Sequence, residues 1–566
     1  RMLAAGLVNA DVVSAARAEP ARLSRRKASG GNDHLIRGLL SGTLAPELRG
    51  TAVQELETTV ELPLQREVET LARRAADYLA SYGASALAAI VVDNASGDVL
   101  AYLGSPDFSR AEALGQNDGA RALRQPGSTL KPFVYAAAME QAQFSAATLL
   151  PDLPLELTTE HGSYEPKNYD GRFHGPVRLR RALANSLNVP AVYAANRVGP
   201  DRVLELLHRV GFSSLTGDAD QYGAAIALGD GEVRLSELAG AYAMLARDGD
   251  LLPLRLYHRA RQASGATLTR DTVSPTRVLD ARVARVLTDI LTDDLARSAE
   301  FGRNGPLAFP FPVAAKTGTS KGYRDNWTIG YTREVTVAVW AGNFDGKPMT
   351  GSSGITGAAP LFHEVMLAAM RGKTPLPLVS HEGLLEAEVC ELSGKLATAL
   401  CPHTQREWFV PETVPRAACD MHEAVAIEPH DGLRAGPACA GATRKVFERY
   451  PAEYESFARD AHRPLAPRGF SPHCPGTAAT TLNTARVSFP RGGEHFARDP
   501  GGPPRQEILL EAQSAAASLR FLVDGRDVGG GRSPFRLPWA LARGSHELRV
   551  ATPDGSLSEP VAFEVR

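Results

Sequence analysis

The arrangement of strand-like runs constrains this chain most. Residues 86–92 and 99–103 are β-rich and are joined by Asp93-Asn94-Ala95-Ser96-Gly97-Asp98, a turn-forming segment that predicts a hairpin. Helix-rich sequence then runs to about residue 300. Residues 313–319, 327–331 and 335–340 read as three further strands, the last two joined at Thr332-Arg333-Glu334. Strands, many helices and strands again predict an α+β fold, with an antiparallel sheet assembled from both ends of the segment and helices around it. Residues 64–82 lead into the first hairpin with apolar positions at helical spacing.

At 566 residues the chain exceeds one ordinary domain, so two to four units are expected. With 43% hydrophobic and 22% charged residues it has the composition of a soluble globular protein. A formal net charge of −2 provides no strong field, so no nucleic-acid partner is expected. No apolar run reaches eighteen residues, and the opening segment from Arg1 lacks the apolar stretch of a secretory signal. The chain reads as a fragment without its targeting segment.

Residues 373–475 are rich in Pro, Cys and Glu with little periodicity and read as a connector. From 476 to 566, short strands at 507–511, 519–523, 546–551 and 561–565 alternate with turns, as in a small Ig-like β-sandwich. No internal repeat is apparent. The five cysteines, Cys390, Cys401, Cys419, Cys439 and Cys474, form no C-x-x-C pair, so a zinc ribbon is not expected. Cys419 and His422 could share a metal, but two ligands do not make a site. Clustering in a loop-rich stretch suggests disulfides and an oxidising compartment. Cys390–Cys401 and Cys419–Cys439 are the expected pairs, with Cys474 left over.

Three short motifs carry the chemistry. Gln125-Pro126-Gly127 marks a turn, after which Ser128 opens an apolar helix whose buried stripe is Leu130, Phe133, Val134, Ala137 and Ala138. Ser128 and Lys131, three apart, share a helix face. A partly buried lysine there can lose its proton and accept that of the serine hydroxyl, while the helix N-terminus favours a developing oxyanion. Taken alone, the same pair also fits a helix cap beside a solvated lysine. Next, Ser186-Leu187-Asn188 lies between a helical run, 178–185, and Pro190, which suits the first position of a new helix. In a short loop Ser186 and Asn188 can point into one cleft, the hydroxyl relaying a proton and the amide binding a carbonyl and Lys131. A loop with a cap reads equally well. Third, Lys316-Thr317-Gly318-Thr319 ends a strand-like run. Thr317 and Thr319 share one face and could hold a carboxylate, with Lys316 supplying charge behind them. Gly318 removes a side chain where packing is close. The Thr319 N–H could join that of Ser128 in an oxyanion hole.

S-x-x-K, S-x-N and K-T-G in this order form the trio of penicillin-binding proteins and class A β-lactamases. From about 45 to 372 the chain resembles the transpeptidase domain of class A, bifunctional penicillin-binding proteins. The resemblance extends over the hairpin from Val91, Arg124 to Phe133, Leu183 to Ala191, Gly229 to Ala243 and Lys316 to Trp327. It implies residues 1–30 as the end of a glycosyltransferase domain, 31–44 as a linker, and 373–475 and 476–566 as family connector and β-domain. It also implies a periplasmic location, stem peptides ending in D-Ala-D-Ala as donors, acylation by β-lactams, and other cell-wall synthesis proteins as partners of the last domain. Ser128, Lys131, Ser186, Asn188 and Lys316 would be catalytic, and Thr317, Gly318 and Thr319 would bind substrate. No metal or organic cofactor is required. A D,D-carboxypeptidase or β-lactam-hydrolysing enzyme, or a non-catalytic sensor or scaffold, are the competing readings.

Overall fold

The computed structural model describes residues 32–566 except 160–161, 272, 476–484, 497, 499–505, 515 and 533–534; of residues 1–31 it describes Asn9, Asp11 and Ser14. Apart from those three residues, the expected glycosyltransferase remnant lies outside the described residues. The expected linker at 31–44 contains a helix, α1 (Asp33–Leu40). Its Leu35 and Leu39, four apart, are fully buried in the main core, which is why this segment is ordered as part of the domain.

Helix α2 (Leu62–Leu79) leads into β1 (Ala86–Asp93) and β2 (Val99–Leu103). The turn between them is held by Asp93, whose Oδ1 accepts from the N–H groups of Ala95 and Ser96 and from the Ser96 hydroxyl. Far along the chain follow β3 (Ala314–Thr319), β4 (Asp325–Tyr331) and β5 (Val335–Gly342). The five form one antiparallel sheet in the order β3-β4-β5-β1-β2. β5 pairs with β1 from Val335 opposite Asp93 to Gly342 opposite Ala86. The sheet is therefore closed from both ends of the segment, as the strand runs predicted.

Both faces are covered. Ala86, Ala88, Ile90 and Val92 face a core shared with α3 (Lys131–Gln141), α4 (Leu179–Ala184), α5 (Asn188–Val198), α6 (Leu235–Ala246) and α7 (Ala281–Thr292). Leu87, Ala89 and Val91 face a second core with α2 and α8 (Ala359–Met370). Period-two alternation along β1 thus fills two separate helical layers, which explains its nearly continuous apolar run.

The connector consists of two antiparallel hairpins, β6 (Leu385–Cys390) with β7 (Thr404–Phe409) and β8 (His422–Ile427) with β9 (Thr443–Glu448). They are copies of one another, contrary to the expectation of no repeat. The Cys390 N–H bonds the Lys395 carbonyl at 2.8 Å, and 38 residues on the Glu428 N–H bonds the Leu433 carbonyl at 2.9 Å. Gly394 to Cys390 recurs as Gly432 to Glu428, Ala397 to Glu388 as Ala435 to Ala426, and Cys401 to Thr398 as Cys439 to Gly436. The likeness lies in the backbone hydrogen bonds rather than in the side chains, so periodicity in the sequence is faint. The expected disulfides are not formed. Cys439 bonds Cys474, and Cys390, Cys401 and Cys419 are unbonded. Spacing could not anticipate this, because the return of the chain at 470–474 beside Arg434 brings Cys474 to Cys439.

The last region is a sandwich. β10 (Arg486–Phe489), β12 (Glu507–Gln513) and β15 (Phe535–Ala540) form one sheet. The other is ordered β11 (His495–Phe496), β17 (Val561–Val565), β16 (Gly544–Ala551), β13 (Leu519–Val523) and β14 (Arg526–Gly531). Leu510, Phe521, Leu548, Val550 and Phe563 form the core between them.

Candidate active site

Ser128 lies in a single tight turn, Gly127–Leu130, that feeds directly into α3. The turn is clamped from several sides. Trp327 Nε1 donates to the Gln125 carbonyl at 2.8 Å, and the Tyr242 hydroxyl donates to the Thr129 carbonyl at 2.8 Å. Gly127 adopts φ +56°, and a Cβ there would lie 2.4 Å from the Thr319 carbonyl oxygen. A Cβ on Gly318 would lie 2.5 Å from the Pro126 carbonyl oxygen. The end of β3 therefore rests directly on the serine turn, and glycine on both sides permits the approach. Ser128 is partly exposed, and its hydroxyl has no hydrogen-bond partner among the described residues.

Lys131 is fully buried. Its Nζ donates to the Ser186 carbonyl at 2.5 Å and to Asn188 Oδ1 at 2.7 Å, and lies 3.4 Å from Ser186 Oγ. Ser186 sits between α4 and α5 at φ +58°, a left-handed conformation that a non-glycine residue rarely adopts. Asn188 begins α5, so Pro190 falls in the first turn rather than at its first position. From the other side Lys316, also buried, donates to Ser186 Oγ at 2.7 Å and to the Thr317 carbonyl at 2.9 Å. One serine hydroxyl thus links two buried lysines. Burial holds the Lys131 amine well below its usual range, and the neighbouring Lys316 adds to the effect. Burial likewise pulls Lys316 down to about 7.

β3 is an edge strand, with Lys316 opposite Ile329 and Thr319 opposite Asn326 on its paired side. Thr319 Oγ1 accepts from the Gly354 N–H at 3.0 Å, which joins the strand end to the loop before α8. The structure thus brings the eight residues singled out in the sequence together: Lys131, Ser186, Asn188 and Lys316 through hydrogen bonds, and Thr317, Gly318 and Thr319 through the seat of β3 on the turn that holds Ser128.

The motifs did not reveal what holds Asn188. Asn168 Oδ1 accepts from the Asn188 N–H at 2.8 Å, and Asn168 Nδ2 donates to both oxygens of buried Asp152 at 2.8 Å. Asp152 Oδ2 also pairs with His174 Nδ1 at 2.6 Å. Nor did they reveal Arg180 on α4, which is almost fully buried. It bonds Asp289, Asp293 at 3.0 Å, and Glu407 of the connector at 2.8 and 2.5 Å. The connector is thereby fastened to the helix that presents Ser186. Exposed Tyr169, next to Asn168, meets Tyr323, beyond the end of β3, edge to face at 6.4 Å. No run of residue types marks any of these, since each partner comes from a distant segment.

Residues 87–367 match the family described as Penicillin binding protein transpeptidase domain. Residues 380–424 match Penicillin-binding protein 1A, C-terminal domain, and 474–563 match Penicillin-Binding Protein C-terminus Family. Penicillin-binding protein 1C of Escherichia coli (strain K12) is 34% identical over 293 residues, 52% of this chain and 36% of that protein. Penicillin-binding protein 1A of Pseudomonas aeruginosa is 27% identical over 388 residues, 59% of this chain and 46% of that protein. The chain thus spans less than half the length of these relatives. The fold is shared with the crystal structure of penicillin-binding protein 1A from Haemophilus influenzae, at TM-score 0.60, 20% identity, 74% of this chain and 81% of that one. It is also shared with PonA1 from Mycobacterium tuberculosis in complex with penicillin V, at TM-score 0.53, 24% identity, 62% of this chain and 96% of that one. No helix among the described residues is long and apolar enough to cross a membrane. With all three family descriptions following one another along its length, this chain belongs to the class A penicillin-binding proteins.

Proposed function

We propose that the chain is a peptidoglycan D,D-transpeptidase that cross-links stem peptides through an acyl-serine on Ser128, on the periplasmic side of the bacterial inner membrane, and that β-lactams acylate the same serine. The observation that carries this reading is the Lys131–Ser186–Lys316 relay beneath Ser128. Two buried amines bridged by one hydroxyl cannot both hold a proton cheaply, so one of them is neutral. With two N–H groups of Lys131 spent on the Ser186 carbonyl and Asn188 Oδ1, its remaining lone pair is free for the Ser128 proton.

In this mechanism Lys131 takes the proton of Ser128, whose oxygen attacks the penultimate carbonyl of a D-Ala-D-Ala donor. The oxyanion is met by the N–H groups of Ser128 and Thr319. The donor extends along the open edge of β3, its carboxylate held by Thr317 and Thr319 with Lys316 behind, and Gly318 leaves room for the serine turn. Asn188 holds Lys131 and binds the donor amide. When the C–N bond breaks, Ser186 passes a proton to the departing D-Ala, resupplied from Lys316 or Lys131. An amine of a neighbouring stem peptide then attacks the ester, releasing Ser128 and forming the cross-link. No metal or cofactor enters this chemistry. Residues 45–372 carry it, and 373–475 and 476–566 serve as connector and β-domain, the latter a docking point for other cell-wall synthesis proteins.

Labelling with a fluorescent penicillin followed by peptide mapping tests the acyl-serine directly: an adduct is expected at Ser128, and well-folded protein with none overturns the proposal. Stem peptides supplied with and without an acceptor amine then separate transfer from hydrolysis. Release of free acid at the same rate in both cases makes the chain a carboxypeptidase.

A further inference from the structure

We infer that Cys390, Cys401, Cys419 and His422 form a structural zinc site in the connector. Their ligand atoms all lie within 4.8 Å of one another, with His422 Nδ1 3.5 Å from Cys390 Sγ and 3.3 Å from Cys419 Sγ. A tetrahedral zinc with Zn–S about 2.3 Å and Zn–N about 2.0–2.1 Å places its ligands roughly 3.5–3.8 Å apart, so the two His422–Cys separations lie close to the required spacing and the other pairs need to close by no more than about 1 Å. A disulfide would need two of the sulfurs at about 2.05 Å, and pairing any two of three leaves one thiol and the imidazole unused. A single ion uses all four. Three thiolates and an imidazole, with no position left for water, are the ligand set of a structural site. The Thr398 N–H points at Cys401 Sγ at 3.3 Å, as it would toward a thiolate.

The duplicated hairpin provides an independent observation. Cys390 and Cys401 correspond to Glu428 and Cys439. The Cys419 N–H bonds the Leu396 carbonyl just as the Ser471 N–H bonds that of Arg434, so Cys419 and His422 correspond to Ser471 and Cys474. The second copy thus has cysteine at two of the four positions, opposite Cys401 and His422, and those two are the disulfide Cys439–Cys474. The first copy has a metal ligand at all four and no disulfide. A staple suits the first copy, because the apolar cluster beneath its hairpin consists of Ala147, Val389 and Phe409 with two partly buried neighbours. Binding converts three thiols to thiolates and releases their protons to solvent.

The test is elemental analysis of the untagged chain, combined with alkylation and non-reducing mass spectrometry. Stoichiometric zinc is expected, with Cys439–Cys474 as the disulfide and Cys390, Cys401 and Cys419 alkylated only after a chelator is added. Cys419→Ser and His422→Ala should each lose the zinc, whereas the double variant Cys439→Ser, Cys474→Ser should keep it. Should the single variants fail to fold, cobalt(II) added to chelator-treated wild-type protein provides the readout through thiolate-to-metal absorption. A disulfide among Cys390, Cys401 and Cys419 with no zinc, or absence of that absorption, overturns the site.

Discussion

The cleft and the connector lie side by side, joined through Arg180, yet they are held together by different means. Around Ser128 the backbone is positioned by two large apolar cores and by close approaches such as Gly318 to Pro126. In the connector the apolar clusters are small, and the hairpins also carry a disulfide, a cluster of three cysteines and a histidine, and ion pairs such as Arg463 with Glu448. The difference teaches where damage should show. A change in the cleft displaces reacting atoms without unfolding the domain, while a change in the connector loosens structure first and chemistry only through α4.

The sharpest test of this contrast is Ser128→Ala, expected to abolish penicillin acylation while leaving thermal unfolding within about 0.5 kcal/mol of wild type; a residual adduct at the same peptide would break the assignment. Next is Arg180→Met, which strands the buried carboxylate of Glu407 and those of Asp289 and Asp293. It should cost about 3–5 kcal/mol in denaturant unfolding. Because α4 presents Ser186, acylation should slow as well, the one case in which both regions fail together. Removing the disulfide with Cys439→Ser and Cys474→Ser should cost about 2–4 kcal/mol. That loss should appear as protease sensitivity of residues 422–474, with Ser128 labelling unchanged. Gly318→Ala should act on the cleft, slowing acylation about 100-fold by displacing the serine turn, with about 1–3 kcal/mol lost to the clash of its Cβ with the Pro126 carbonyl.

The smallest effect is in pH dependence. Lys316 has its pKa near 7, so below that pH it carries the charge proposed to hold the donor carboxylate, and above it that charge is lost. Acylation by carboxylate-bearing substrates should therefore decline as pH rises through about 7. Lys131 must be neutral to act, so protonation causes the decline on the acid side. Lys316→Arg, whose guanidinium stays charged, should move the alkaline decline upward; an unchanged profile would assign it to another group.

Much of the cleft was legible because its residues are local. Lys131 follows Ser128 by one helical turn, Ser186 and Asn188 share a three-residue loop, and Lys316–Thr319 is one strand end. Turn chemistry around Gly97 and the apolar runs of β1 and β5 were equally readable. What escaped was long-range and depended on single contacts: Asn168 under Asn188, Glu407 under Arg180, the helix at 33–40, and the duplicated hairpins whose likeness lies in backbone hydrogen bonds.

The amino-acid sequence by itself determined the α+β order of elements, the three motifs and the terminal sandwich, because hydrophobic period and turn residues act over a few positions. Only the tertiary structure decided which lysine touches which hydroxyl, and that Cys474 rather than Cys419 reaches Cys439. It also decided that Cys390, Cys401, Cys419 and His422 meet. Those outcomes depend on how the chain returns upon itself, which burial of the whole core dictates and no local pattern records.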